Sequence, residues 1–338
     1  MKDTLKIVKE YKTVAASLLI IGLIAGSLIG KYFLRATTQN QDCLSDLDFI
    51  NQGLNCTTAD IKGTNLSNQE NKINVLVSSY TNTNKANRLS VFVIDLDSKR
   101  FLSINDNETF DMASLLKLPL VIGGFKLAEV EPLILNQEIT YTGTLDLNQE
   151  QEYKPEIKLE TGQKYTVKEL MKRAIDYSDN NAAQMLFDYY PKEFMDRIMQ
   201  ALGISISRPN GEKENLITAR ALSGVFRTLY NSAYLTREYS NETLSILTQT
   251  AYKGGMVSIV PKGTVVAHKF AERTQGNNDG IGTKYRQLHD CGIVYANNGK
   301  ESFIYRIMTK GSDFSNLEKI QTEIASEIYQ AMINSGSN

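Results

Sequence analysis

The apolar positions of the chain repeat at helical spacing in some stretches and gather into short runs in others. Residues 66–82 follow the first pattern and predict a helix. Its apolar face carries Ile73, Leu76, Val77 and Tyr80. Two apolar runs follow, 89–94 and 101–104, and they flank a turn-forming segment, 95–100, so the sequence predicts a β-hairpin there.

The middle of the chain, roughly 113–250, has the pattern of successive helices. Thr166 and Glu169 form a capping-box signature at the start of one of them. Pro191 ends the next helix, Gly203 stops a third, and Thr218 begins a fourth. The sequence therefore predicts a block of helices between two regions of strands.

The last third of the chain returns to strand-like runs. These are GTVVAHKF, CGIVYA and SFIYRIMT, and Asn297–Gly299 suits a tight hairpin between the last two. Ser315 and Glu318 then predict the start of a final helix. Its apolar face carries Leu317, Ile320, Ile324, Ile328 and Met332. Because neither group of strands is stable alone, we expect the early and late strands to form one sheet, with the helical block inserted beside it.

The N-terminus has the pattern of a signal-anchor. We interpret residues 1–12 as a basic cytoplasmic tail, because they carry four lysines, and residues 13–34 as a transmembrane helix. No clean small-residue cleavage site follows the uncharged stretch that ends before Lys31. This favours a retained anchor over the alternative, a signal peptide that is cleaved so that the protein is secreted. Spaced glycines in this stretch give a possible helix-dimer face: Gly22, Gly26 and Gly30.

An extracytoplasmic location permits disulfides. Residues 35–65 are polar and indicate a stalk, and Cys43 and Cys56 lie close together within it, so we expect them to pair. Cys291 lies in a strand-like run and suits a buried free thiol. A nucleophilic role for Cys291, beside His289 and Asp290, is the alternative.

Composition excludes several classes of function. The formal net charge of −1 argues against a nucleic-acid-binding protein. The chain has two histidines, His268 and His289, which makes a multi-histidine metal site improbable. No metal or organic cofactor is predicted.

Three short elements carry the candidate chemistry. Ser114 and Lys117 are spaced i, i+3, so a helix places them on one face, where a lysine of lowered pKa is able to activate the serine hydroxyl. Ser178 and Asn180 belong to an SDN sequence at the junction of two predicted helices. Lys269 lies on a predicted late strand, where its charge suits a substrate carboxylate. Each element alone also has an ordinary structural interpretation, as a helix cap or a surface lysine.

The order of the three elements, and the predicted helices and strand on which they lie, resemble those of the penicillin-recognising serine hydrolases, and of the class A β-lactamase branch in particular. The similarity covers roughly residues 85–335, and we treat 66–338 as the hydrolase domain. The resemblance implies an α/β (α+β) three-layer sandwich, with an antiparallel sheet between terminal helices and the helical block. It places the active site between that block and the strand of Lys269.

The resemblance also implies a role for each matching residue. Ser114 is the nucleophile, Lys117 is its base or proton relay, and Ser178 passes a proton to the leaving nitrogen. Asn180 binds the substrate amide and orients Lys117, and Lys269 binds the substrate carboxylate. The backbone N–H of Glu272, with that of Ser114, forms the oxyanion hole. Asp179 is expected to brace the loop.

Two departures from the family pattern stand out. The usual Lys-Thr-Gly is Lys269-Phe270-Ala271 here, which removes a hydroxyl, narrows the cleft by a methyl group and directs Phe270 away into packing. The loop within 203–218 is short, and Glu212 and Glu214 do not fit the Glu-x-x-Leu-Asn pattern of the deacylating glutamate.

We therefore expect a β-lactamase-like serine hydrolase acting on a β-lactam or a related carboxylate-bearing amide, with slow deacylation. One alternative is a D,D-peptidase or transpeptidase-like cell-wall enzyme acting on peptidoglycan peptides. Another is a catalytically weak surface module that binds such peptides.

Overall fold

The computed structural model describes residues 47–51, 64–204, 215–276, 284–299 and 301–334. These residues belong to one compact unit, which comprises 46–51 and 58–338. The predicted anchor, the glycines on it, the Cys43–Cys56 pair, Glu212 and Glu214 lie outside the described residues. Within the described ranges, no helix has the length and apolar character needed to cross a membrane.

Most of the strands come from the two ends of the domain, and three short ones, 138–140, 164–166 and 216–218, lie in the middle. The strands are β1 Arg88–Asp95, β2 Phe101–Ile104, β3 Thr109–Asp111, β4 Glu138–Thr140, β5 Lys164–Thr166, β6 Leu216–Thr218, β7 Val265–Gly276, β8 Lys284–Ala296 and β9 Glu301–Gly311. Five of them form one antiparallel sheet in the order β2-β1-β9-β8-β7. The prediction of a single shared sheet is confirmed, and β7, which carries Lys269, stands at one end of it.

The helices pack on both faces of this sheet. They are α1 Ser67–Asn82, α2 Lys117–Ala128, α3 Val167–Asp176, α4 Asn180–Tyr189, α5 Lys192–Ala201, α6 Ala219–Tyr230, α7 Arg237–Leu247 and α8 Phe314–Asn334. The terminal helices α1 and α8 share a buried apolar core with one sheet face, including Ile73, Val77, Leu317 and Ile324. On the other face, Arg306 of β9 donates to Ser223 of α6. The predicted layered architecture is confirmed.

Local signals set the bounds of several helices. The capping box at α3 forms as predicted, because Glu169 N donates to Thr166 Oγ1 at 3.2 Å and Thr166 N donates back to Glu169 Oε2 at 2.7 Å. α5 ends two residues before Gly203, whose φ of +68° favours glycine.

One predicted boundary was wrong in detail. Asp313, and not Ser315, caps α8, because its carboxylate accepts from Ser315 N at 3.2 Å and Asn316 N at 3.3 Å. The difference arises because several nearby polar residues compete for the same cap position. The predicted tight hairpin between β8 and β9 is confirmed, and a short 3-10 turn over Asn297–Gly299 lies in it.

Candidate active site

Ser114 lies in a short 3-10 helix, Ala113–Leu116, that runs directly into α2. The backbone reaches this turn through Ala113, whose φ of +45° is uncommon for a residue with a Cβ. The Asp111 carboxylate holds the turn by accepting from Ala113 N at 2.7 Å. Such a conformation costs about 1–3 kcal/mol and persists only where neighbouring contacts enforce it. The chain is therefore bent tightly just before the candidate nucleophile.

Strand β8 anchors the same turn from the side. Buried Gln287 accepts from Asp111 N at 3.1 Å, and buried His289 lies 3.0 Å from Asp111 O through its Nε2. Burial lowers the pKa of His289 to about 4, so the ring is neutral at pH 7 and fits a structural role.

Lys117 is the centre of the site. Its buried Nζ donates to Ser114 Oγ at 3.0 Å, to Ser178 Oγ at 3.1 Å and to Asn180 Oδ1 at 2.6 Å, and it also contacts Ser178 O. Burial lowers the pKa of Lys117 from 10.5 to about 7, while the charges of Asp179 and Glu272 act in the opposite direction. A large fraction of this amine is therefore neutral at pH 7 and able to accept the proton of Ser114.

Ser178 lies between two lysines. Its Oγ accepts from Lys117 Nζ at 3.1 Å and from Lys269 Nζ at 3.0 Å. Its φ of +53° is again uncommon for a residue other than glycine. The hydroxyl is placed to pass a proton between Lys117 and a group bound beside it.

Asp179 braces the loop, as predicted. Its fully buried carboxylate caps α4 by accepting from Asn181 N at 2.9 Å and Ala182 N at 3.2 Å. The same carboxylate accepts from Asn148 Nδ2 at 2.9 Å and pairs with Arg173 Nε at 3.4 Å.

Lys269 extends from β7 to the far side of Ser178. Its fully buried Nζ donates to Ser178 Oγ and, at 2.6 Å, to Phe270 O. Burial, followed by the charge of Lys117, lowers the pKa of Lys269 well below its ordinary value. The Lys269 amine, which the sequence analysis assigned to a substrate carboxylate, is thus buried and hydrogen-bonded to groups of the protein.

Phe270 packs away from solvent, as predicted. Its ring stacks on Tyr252 with centroids 4.7 Å apart and meets Tyr153 edge to face at 5.6 Å. Ala271 is fully buried next to it.

A cleft of about 450 Å³ opens in front of Ser114. Among its lining residues are Asp111, Ser114, Lys117, Gln151, Asn180, Asn215, Glu272 and Arg273. Four of the six predicted site residues therefore line one cleft: Ser114, Lys117, Asn180 and Glu272. The other two lie behind it, where Ser178 accepts from both Lys117 and Lys269.

Sequence reasoning missed the segment 146–153, which we call the strap. Asn148, Gln151 and Tyr153 of the strap contact the SDN loop or β7, yet the segment has no periodic pattern. Asp111 was also missed, although an Asp two residues before a sharply bent position is a recognised turn signal.

The remaining candidates have structural roles. Cys291 is a buried free thiol, and burial raises its pKa, so it lacks the thiolate character of a nucleophile. His268 lies 2.8 Å from Asp290 within the core. Within the described ranges, no group of three His, Cys, Asp or Glu side chains is arranged to hold a metal ion.

Comparison with known proteins shows a consistent likeness. A family profile described as "Beta-lactamase enzyme family" matches residues 68–332. The chain is 24% identical to Beta-lactamase VEB-1 of Pseudomonas aeruginosa over 263 residues, which is 73% of this chain and 86% of the relative.

Solved structures agree on the fold. A mutant of PBP-A, captured as an acyl-enzyme complex with penicillin G, superposes with a TM-score of 0.66 at 21% identity, covering 82% of this chain and all of that chain. The TLA-3 extended-spectrum beta-lactamase gives 0.67 at 22% identity, covering 79% and 99%. A class A beta-lactamase from Mycobacterium abscessus gives 0.63 at 20% identity, covering 78% and 98%.

Proposed function

The chain belongs to the beta-lactamase enzyme family, and from this premise we propose that it is a hydrolase that works through an acyl-enzyme on Ser114. The observation that carries the proposal is the contact of Lys117 Nζ with both Ser114 Oγ and Ser178 Oγ in a buried setting that lowers its pKa to about 7. A serine beside a neutral amine meets the requirement for nucleophilic catalysis.

The proposed acylation step moves one proton around this cluster. Neutral Lys117 takes the proton of Ser114 as Oγ attacks the substrate carbonyl carbon. The backbone N–H groups of Ser114 and Glu272 stabilise the negative charge that develops on the carbonyl oxygen. Ser178 then relays the proton from Lys117 to the leaving nitrogen, and the amide C–N bond breaks. Asn180 orients Lys117 through the hydrogen bond of 2.6 Å.

Lys269 has a positioning role in this scheme. Its donation to Ser178 Oγ, from the side opposite Lys117, keeps the relay hydroxyl in place. Its Nζ also lies 4.2 Å from the centroid of the Phe270 ring, so its proposed contact with a substrate carboxylate requires that it leave these protein partners.

The acyl-enzyme is proposed to be a long-lived species. No glutamate in the expected pattern follows the SDN sequence, and the loop within 203–218 is short. The same observation favours a second candidate, a D,D-peptidase or transpeptidase-like cell-wall enzyme. The likeness in fold to a mutant of PBP-A, captured as an acyl-enzyme complex with penicillin G, supports that candidate. A binding module is the third candidate, and the covered Lys269 supports it.

The lifetime of the adduct separates these candidates. The protein is mixed with excess benzylpenicillin, and intact protein mass and free drug are followed together. A persistent adduct with little drug consumed supports the D,D-peptidase-like enzyme. A transient adduct with steady drug hydrolysis supports a β-lactamase. No adduct and intact drug contradict the acyl-enzyme proposal and favour the binding module.

We further propose that the catalytic domain lies outside the cytoplasm on a single-pass membrane anchor. The support is the uncharged stretch of residues 13–30 between Lys12 and Lys31. Fractionation of cells expressing the full chain is the test, with secretion of a shortened chain as the contrary result. A weak dimer through Gly22, Gly26 and Gly30 is a further proposal, to be tested by crosslinking of the full chain in membranes.

A further inference from the structure

Arg273 of β7 is a half-exposed cation in the cleft in front of Ser114. Its side chain is 43% exposed, and its Nε lies 3.9 Å from Asp111 Oδ2, which is too long for a hydrogen bond. Within the described ranges, Arg273 makes no other ion pair. A guanidinium has five N–H donors, so one loose pair through Nε leaves its terminal nitrogens able to bind another anion.

Arg273 lies on the face of β7 that is turned toward the nucleophile. Residues an even number of positions apart on a strand share a face, so Arg273 and Lys269 lie on the same one. The pairing of β7 with β8 agrees with this, because Gln287 stands directly opposite Arg273 and accepts from Asp111 N at 3.1 Å. Asp111 in turn holds the bend that precedes Ser114.

Arg273 and Lys269 stand on opposite sides of the reacting carbonyl group. They are four residues apart, which is roughly 13 Å along an extended strand. Ser178, the proposed proton donor to the leaving nitrogen, accepts from Lys269 Nζ at 3.0 Å, so the leaving group lies toward Lys269. The proposed oxyanion donor, Glu272 N, lies between the two cations. The acyl group of the substrate therefore extends from the carbonyl in the other direction along β7, toward Arg273.

Three carboxylates also line this cleft, and their positions leave Arg273 accessible. Asp111 is buried and accepts from the backbone of the bend at 2.7 Å. The Glu272 carboxylate accepts from two backbone N–H groups of the strap, at 2.9 and 3.0 Å. Glu150 is exposed to solvent on the strap. Among the described residues, none has to leave a hydrogen bond before a substrate anion in the cleft reaches the terminal nitrogens of Arg273.

We propose that Arg273 is a specificity-determining residue that favours acyl donors with a carboxylate on the acyl side of the reacting carbonyl. This carboxylate is additional to the one expected at Lys269 on the leaving-group side, so the preferred substrates carry one anion at each end. A guanidinium is suited to this role because it binds a carboxylate through two parallel hydrogen bonds. The inference rests on the proposed acyl-enzyme chemistry at Ser114, and it names the substrate class of that same site.

Carbenicillin and benzylpenicillin form a matched pair of probes, because they differ by one carboxylate on the acyl side chain and share the rest of the molecule. The rate of acylation by each is measured by intact protein mass for the wild type, Arg273→Gln and Arg273→Lys. Arg227→Gln is the matched control, because it removes an exposed cation on α6, outside the cleft. The quantity compared is the ratio of the two rates, carbenicillin over benzylpenicillin, in which a general loss of reactivity cancels.

The ratio is expected to fall about five- to tenfold in Arg273→Gln, the size of a half-exposed, charge-assisted hydrogen-bonded pair. It stays within about threefold of the wild-type value in Arg273→Lys, which keeps the charge but loses the fork of donors. Arg227→Gln keeps the wild-type ratio. An unchanged ratio in Arg273→Gln overturns the inference, while labelling of the wild type by benzylpenicillin upholds the chemistry at Ser114.

The wild-type protein supplies a second measurement that needs no variant. Raising the ionic strength from about 0.05 M to about 0.5 M screens the half-exposed charge of Arg273, so the ratio of the two rates falls. A ratio that is independent of salt contradicts attraction of the acyl-side carboxylate. Absence of labelling of the wild type by either probe overturns the proposed function, and this inference with it.

Discussion

The pH dependence of acylation follows from the environment of Lys117. Burial lowers its pKa from 10.5 to about 7. An amine with the ordinary value would be neutral in roughly one molecule in 3,000 at pH 7, whereas about half of Lys117 is neutral there. The buried site therefore raises the population of the competent base by about a thousandfold.

The acylation rate rises with pH because Lys117 must be neutral to act as the base. Below pH 7 Lys117 is mostly protonated and unable to accept the Ser114 proton, so the acylation rate falls about tenfold for each pH unit. Above pH 8 the rate reaches a plateau. The assay is the rate of mass-adduct formation with benzylpenicillin methyl ester between pH 5 and 9. Because the ester carries no carboxylate, a change in the charge of Lys269 or Glu272 with pH does not alter the attraction of the probe to the site.

Lys117→Ala is the control for this profile. It should react orders of magnitude more slowly and lose the inflection near pH 7. A rate that is flat between pH 5 and 8 in the wild-type protein would refute the assignment of Lys117 as the base. So would an inflection that survives unchanged in Lys117→Ala.

Three further outcomes follow from the same geometry. Ser178→Ala should slow acylation by about 10²–10⁴-fold in stopped-flow measurements, because the proton relay is lost, and a loss below threefold would contradict the relay. Asp179→Ala should lower the free energy of unfolding by about 3–5 kcal/mol in urea titrations, because it leaves Arg173 and the cap of α4 without their buried partner. A change under 1 kcal/mol would show that the brace is unimportant. Cys291→Ala should leave the acylation rate unchanged, since the thiol is buried and its pKa is raised; a lost adduct would revive the cysteine as nucleophile.

The parts of the site that the sequence predicted are those set by short-range spacing. Ser114 and Lys117 meet because they are three residues apart at a helix start, and Asp179 caps the helix that follows it. The single sheet was also predictable, because short strands at both ends of the domain need partners.

The parts that were missed depend on contacts between distant segments. The strap has the pattern of a polar loop. Its position depends on contacts with the SDN loop and on Glu272, about 120 positions along the chain, which accepts from its backbone. Lys269 is fully buried, although its residue type and strand position suggested a cation facing the groove and binding a substrate carboxylate. Asp111 matters because Gln287 of β8 and the bend at Ala113 converge on it.

The residue that carries the covalent adduct decides whether Ser114 is the nucleophile. The protein is treated with excess benzylpenicillin, digested, and mapped by tandem mass spectrometry beside Ser114→Ala. If Ser114 is the nucleophile, one added penicilloyl group is located on Ser114 and is absent from the variant. An adduct on any other residue, or one that persists in Ser114→Ala, would contradict it.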